Sequence, residues 1–341
     1  MKKYKICKIL LVILAIFLCV AFYELLGICV AYKKQPEVSN TTKKETKNGS
    51  WNECSENTER AVIIEKNPEA LLQRVRLIKN AKKEIILSTF AFQSDESGKL
   101  ILGALHDAAD RGVHVRILVD GMESWIDMEG NPYFYGLSSH ENVEIKLYNK
   151  ANPLKPWKTM GRMHDKYLIA DGKIYILGGR NTYNYFLGDF PGHKNFDRDV
   201  LVVCDEPQKD NSVNQLWNYF ETKWEQEDCR YFHNSKKLAD RQSVKKAVLE
   251  LQEGYQQYFE VNKEKICDTD YADETFETEK ITLLSNPIHT QAKEPVVWYQ
   301  LGELMKNAKE RVKIHTPYII CNDMMYNTWE EIAQKLSLIH I

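Results

Sequence analysis

Residues 161–181 read GRMHDKYLIADGKIYILGGRN, and this stretch decides how the rest of the chain is read. From Met163 to Ala170 the residues alternate, so a strand there carries His164, Lys166 and Leu168 on one face and Asp165, Tyr167 and Ile169 on the other. Asp171-Gly172 is a two-residue hairpin signal, and Ile174 to Leu177 is the β-branched and aromatic return strand. With that loop length Ala170 pairs with Lys173, Gly179 falls opposite His164, and two glycines stand beside the histidine and lysine. Glycine leaves no side chain in the way of a ligand's anionic group, and Asn181 follows within reach. A nucleophilic base, a fixed cation and an amide donor around cleared space suit phosphoryl chemistry. The alternative is a buried hairpin whose histidine is merely hydrogen-bonded.

The pattern His164-x-Lys166, four residues, Asp171, six residues, Gly178-Gly179, one residue, Asn181 resembles the HKD motif of the phospholipase D superfamily. Six specified residues at about one in twenty each make an accidental match on the order of one in ten million or rarer per start site. The resemblance implies a nucleophilic His164 oriented by an acid just ahead of an apolar strand, and Asp199 in Asp197-Arg198-Asp199-Val200-Leu201 is the matching position. A carboxylate on the far ring nitrogen fixes the tautomer and supports the charged ring, although a salt bridge to Arg198 would explain the same residue. Lys166, Asn181 and backbone amides near Gly178 and Gly179 would then bind phosphate oxygens. Asp171 reads as structural, a turn aspartate bonding its own loop.

The sets Asp95 to Gly98, Ala108 to Val113, Arg162 to His164 and Gly178 to Asn181 look most like bacterial cardiolipin synthases and related membrane phospholipases D. That likeness implies phosphatidyl transfer or phospholipid hydrolysis through a phosphohistidine, on phosphatidylglycerol or a similar lipid, with no metal or other cofactor. It also implies an α/β layered fold, a mixed β-sheet flanked by helices and built as two pseudo-twofold repeats. Two other functions stay open: a nuclease or other phosphodiesterase on the same scaffold, and a membrane-tethered lipid-binding protein without catalysis.

A chain of 341 residues, 43% hydrophobic and 28% charged, can bury one large or two medium cores. Its net charge of −2 argues against a general nucleic-acid binder, so no nucleic-acid partner is expected. Ile9 to Tyr23 and Leu25 to Tyr32 are apolar and together long enough to cross a bilayer, with Lys2, Lys3, Lys5 and Lys8 ahead of them. Residues 1–34 are therefore expected to be a single-pass anchor in the cell membrane, with the catalytic part extracytoplasmic. A signal peptide cleaved after Cys29-Val30-Ala31 is the alternative. Glu24 is costly inside that span. The eight cysteines show no zinc-ligand spacing; Cys54, Cys204, Cys229, Cys267 and Cys321 lie beyond the anchor, where a disulfide would leave one over.

Residues 35–60 are polar and read as a flexible stalk, and 61–235 as the first repeat. Asn67-Pro68 starts a helix with asparagine as its cap, Glu84 to Phe92 is a strand, Leu100 to Arg111 a helix closed by Gly112, and Val113 to Asp120 a covered strand. Asn131 to Ser139 and Lys150 to Lys158 read as loops, the latter with a Trp157 that touches lipid headgroups or simply anchors its loop. Val213, Trp217, Phe220 and Trp224 make a core-facing helix stripe, and 236–280 a charged helical connector.

Leu77 to Thr89 and Leu304 to Thr316 carry nearly the same helix-to-strand text, 316 − 89 = 227 residues apart, so 281–341 begins a second repeat. A second catalytic histidine is then expected near position 391, beyond this sequence. The second repeat is expected to be incomplete, and a homodimer of the single motif would supply the other half of the site.

Overall fold

A computed structural model describes residues 2–49, 59–207, 210–316 and 318–336. In chain order the elements are α1 (Lys2–Tyr32), α2 (Asn40–Lys47), β1 (Glu59–Ile64), α3 (Asn67–Asn80), β2 (Glu84–Thr89), α4 (Glu96–Asp110), β3 (His114–Asp120), α5 (Gly121–Asp127), α6 (Pro132–Ser138) and β4 (Val143–Tyr148). Then follow β5 (Tyr167–Ala170), β6 (Ile174–Gly178), β7 (Asp199–Cys204), α7 (Ser212–Trp224), β8 (Cys229–Tyr231), α8 (Lys236–Ala239), α9 (Gln242–Cys267), β9 (Phe276–Glu277), α10 (Val296–Lys306) and α11 (Asp323–Lys335).

The strands form one mixed sheet in the order β8-β4-β3-β2-β5-β6-β7-β1-β9. β2, β3 and β4 run parallel, and β5, β6, β7 and β1 extend the sheet antiparallel. Period-two alternation sorts each strand between two cores. Leu168, Ala170, Leu201 and Val203 face the layer of α3, α4, α6 and α9, while Tyr167, Ile169, Val202 and Cys204 face α7. This is the α/β sandwich of mixed sheet and flanking helices expected from the sequence.

Several local expectations are revised. Asp171 and Gly172 adopt the positive φ, 53° and 63°, of the two-residue turn, and the Lys173 amide donates to Ala170 O at 3.0 Å, but the ladder pairs Ala170 with Ile174 and so leaves Lys173 in the loop. Gly179 therefore does not fall opposite His164; instead Gly178 stands opposite Lys166, its backbone amide donating to Lys166 O at 3.1 Å. Residues 161–166 are irregular, not strand. Asn67 lies inside the first turn of α3 and does not cap it; its side chain accepts from Arg180 at 3.1 Å and donates to Asn195 O at 2.9 Å. Asn131 to Ser139 is not a loop but α6, with Asn131 accepting from the Tyr133 amide and proline in the first turn.

Within 236–280, α9 buries Val244, Leu251, Tyr255 and Phe259 in the first core, with Ala247 buried beside them. Within the expected stalk, α2 buries Thr42 and Thr46, and Ser39 and Thr42 both bond to Glu294. Positions 50–58, with Cys54, and 337–341 lie outside the described residues. Cys229, Cys267 and Cys321 are free thiols. The repeated text at 304–316 forms the end of α10, but residues 309–316 carry no strand. In the first copy the same text is a strand because β3 and β5 flank it.

Candidate active site

The loop 161–166, which carries His164 and Lys166, hangs from the carboxyl end of β3. Asp120, 1% exposed, accepts from the Met163 amide at 2.9 Å and from Arg162 Nε at 2.9 Å, and also caps α5 through the amides of Met122 and Glu123. Asn149 adds a bond from its side-chain amide to Gly161 O at 2.9 Å. The buried Met163 side chain then pins residues 161–166 to the core, and His164 beside it is left exposed. Its ring meets Phe90 edge-on, centroids 4.7 Å apart.

Lys166 is 6% exposed and donates to the backbone oxygen of His164 at 2.7 Å. Burial lowers its pKa to about 8, against opposing pulls from Asp165 and Asp197. His164 is held below its ordinary 6.5, first by desolvation and then by the neighbouring Lys166 charge. Both shifts favour chemistry near neutral pH, a neutral imidazole beside a charged amine. Asp165 turns away, taking hydrogen bonds from Tyr219 Oη at 2.9 Å and from the Lys223 ammonium.

His164, Lys166 and Gly178 line one cavity of about 440 Å³ together with Arg162, Tyr219, Lys223 and Lys293. Residues 283–286 and Val297 close its far side. Asp165 lines the same cavity and pairs with Lys223, and Arg162 is held by Asp120 and Glu123, which leaves Lys166 and Lys293 as the cations beside His164 that can meet an anion.

Asn181, Gly179 and Asp199 are not on that wall. Asn181 Oδ1 accepts from the Ala91 amide at 3.2 Å and so holds the segment that carries Phe90. Asp199 does not reach the His164 ring; its carboxylate sits between Arg74 at 2.9 Å and Arg180 at 3.2 Å, all three essentially buried. Two buried guanidiniums demand a counter-charge, which outweighs any call from an exposed imidazole. Arg198, the alternative partner, pairs with Glu65. The missing Cβ of each glycine makes room for an acid: one on Gly178 would lie 2.0 Å from Asp199 Oδ1, and one on Gly179 2.0 Å from Asp197 Oδ2. Asp171 is structural by longer reach than its own loop, accepting from the amides of Lys82, Lys83 and Glu84 at 2.9, 2.7 and 3.0 Å.

Sequence reading missed Asp120, Phe90, Lys223 and Lys293. Asp120 had a usable signal, an acid at the carboxyl end of a parallel strand, where α/β sheets build their sites. The other three come from distant segments with no shared spacing.

Residues 74–224 match the family model described as cardiolipin synthase, PLD-like domain. An uncharacterized Helicobacter pylori (strain ATCC 700392 / 26695) protein is 26% identical over 303 residues, 81% of this chain and 57% of that one. Cardiolipin synthase C of Escherichia coli K12 is 30% identical over 154 residues, 41% of this chain and 31% of that one. The chain thus spans less than two thirds of either relative. Among solved structures, NucT from Helicobacter pylori superposes with a TM-score of 0.41 at 17% identity, covering 51% of this chain and 99% of NucT.

Proposed function

We propose that this chain, which carries a phospholipase D-like domain over residues 74–224, transfers or hydrolyses phosphatidyl groups of membrane phospholipids through a phosphohistidine on His164. The observation that carries the reading is the placement of a half-exposed, neutral-leaning His164 and a buried, charged Lys166 on one cavity wall. A ring nitrogen of His164 attacks phosphorus as the bond to the leaving alcohol breaks. Lys166 offsets the charge that gathers on the non-bridging oxygens. The leaving oxygen takes a proton from a general acid, a second H-x-K histidine supplied by the other repeat or by a second copy in a homodimer. A second alcohol such as phosphatidylglycerol, or water, then attacks the phosphohistidine, gives up its proton and breaks the P–N bond.

On this reading Asn181 is a positioning residue that acts through Ala91 and Phe90, and Asp199 supports the strand under Gly178. α1 is long and apolar enough to cross a bilayer, an 18-residue window within Lys5–Tyr32 reaching a mean hydropathy of 2.9, which favours a lipid substrate and a single-pass anchor at the cell membrane with the domain outside.

The test is labelling of the membrane-reconstituted protein with phosphatidylglycerol carrying ³²P, quenched in alkaline detergent, with an acid wash of a duplicate sample to show lability. Wild type should trap a labelled, acid-labile protein adduct, and His164→Ala should trap none while folding normally. An adduct of undiminished yield in His164→Ala sinks the assignment.

A further inference from the structure

α1 does not leave the domain as a free tether. Its last three turns are half-covered on the face Glu24, Gly27, Ile28, Ala31 and Tyr32, positions at i, i+3, i+4, i+7 and i+8. That face packs on the loop between β4 and the catalytic motif. Tyr23 Oη donates to Leu154 O at 3.1 Å, and Gly27 comes so close that a Cβ would stand 2.4 Å from Pro156 Cγ. Tyr32 Oη donates to Thr290 O at 2.7 Å, and that same carbonyl lies 2.4 Å from where a Cβ on Gly161 would be. The end of the helix is thereby linked through Thr290 to the first residue of the catalytic loop.

Length decides where this contact sits. The uncovered apolar run from Ile9 to Phe22 rises only about 21 Å at ~1.5 Å per residue. A bilayer's hydrocarbon layer is about 30 Å thick, so a span that starts after Lys8 must continue through roughly Ile28. That stretch includes Tyr23, bonded to the loop, and the half-covered Glu24, Gly27 and Ile28, and tilting the helix only draws more of it inward. The loop therefore reaches the depth of the outer headgroups and the first carbons below them.

Its composition fits that depth. Leu154, Trp157 and Met160 are 78%, 42% and 56% exposed, with Lys150 and Lys155 exposed beside them. Apolar tips, an interfacial tryptophan and lysines that can lift their amines to headgroup phosphates are the mixture an interfacial segment needs. Glu24, costly in a bare span, is half-covered and shares the helix face of Gly27 and Ile28, the face that meets the loop.

We infer that the loop from Leu154 to Met160, packed on the last turns of α1, inserts into the outer leaflet and holds the His164 cavity at the level of the lipid phosphates. The inference rests on the proposed reading of α1 as an anchor and explains how that site meets its substrate without lifting a lipid out of the bilayer.

The test places a photoreactive benzoylphenylalanine singly at Leu14, Leu154, Trp157 or Val261 of the full chain in phosphatidylglycerol–phosphatidylethanolamine proteoliposomes. Val261 is 84% exposed on α9, away from α1, and serves as the surface control. Lipid adducts at 14, 154 and 157 and none at 261 are expected. Adducts at 14 alone, adducts at no position, or protein–protein crosslinks in place of lipid at 154 and 157 each overturn the inference. The readout needs no turnover, so absence of a phosphohistidine would count against the chemistry while leaving this pattern intact.

Discussion

Gly178 stands directly opposite Asp199 in the β6–β7 ladder, so tightly that a Cβ on the glycine would fall 2.0 Å from Asp199 Oδ1 and 2.7 Å from its Cα. The second distance is to backbone, so no rotation of the aspartate can relieve it. Gly178→Ala should therefore destabilise the fold by about 1–3 kcal/mol through forced strand displacement. Gly254→Ala, on α9 with nothing within 4 Å, should instead stabilise by about 0.5–1 kcal/mol. Denaturant midpoints of the two variants check the contrast, and equal shifts would discredit the close approach.

Removing the Asp199 carboxylate leaves Arg74 and Arg180 buried without their shared counter-charge. Asp199→Ala should cost roughly 3–5 kcal/mol, the usual loss when one partner of a buried ion pair is deleted. The milder Asp199→Asn separates structure from chemistry. If Asp199 serves the arginines, stability falls and the acidic limb of the rate profile stays put; a shifted limb would return Asp199 to the His164 ring.

The strands were legible because their signals are local. Tyr167 to Ala170 alternates cleanly between the two cores, and Asp171-Gly172 announces a turn. The register was not, since whether Lys173 belongs to the loop depends on the β6–β7 pairing that pulls Ile174 opposite Ala170. His164 and Lys166 were found from spacing alone, and the cavity joins them. The pairing of Asp199 with Arg74 was not legible, because the arginine lies 125 residues away, where no motif spacing can point. The duplicated text makes the same lesson sharper: it forms β2 between two neighbouring strands at 84–89 and no strand at 309–316, so the words encode a strand only where a sheet receives them.

Asp171 gives a prediction about the motif's own aspartate. Its two carboxylate oxygens take three backbone amides, at Lys82, Lys83 and Glu84, which tie the β5–β6 turn to the entry of β2. Asp171→Ala orphans these donors; they lie at a partly exposed edge where water replaces some of the bonds, so a loss of about 1–3 kcal/mol is expected. Asp171 also sits at φ 53°, which asparagine tolerates, so Asp171→Asn should recover part of the loss. Both variants should keep their phosphohistidine yield per folded molecule. A loss of labelling without a loss of stability would make Asp171 part of the chemistry.

If His164 is the nucleophile and Lys166 the phosphate-binding cation, as proposed, these two perturbed groups set the pH dependence. His164 attacks only when neutral, and desolvation together with Lys166 holds its pKa below 6.5, so the acidic limb of kcat/KM should lie below that value and not at it. Lys166 works only when charged, and its pKa of about 8 places an alkaline limb there, as the ammonium is lost with rising pH. A bell with a plateau between them follows. Lys166→Arg keeps its charge far above pH 8 and should abolish the alkaline limb, at the cost of a raised KM from a bulkier head in a buried slot. Lys166→Ala should also move the acidic limb upward, because it removes the cation that opposes protonation of His164. Rate profiles of wild type and both variants on one substrate decide the matter: an alkaline limb that survives in Lys166→Arg would assign it to a group other than this lysine.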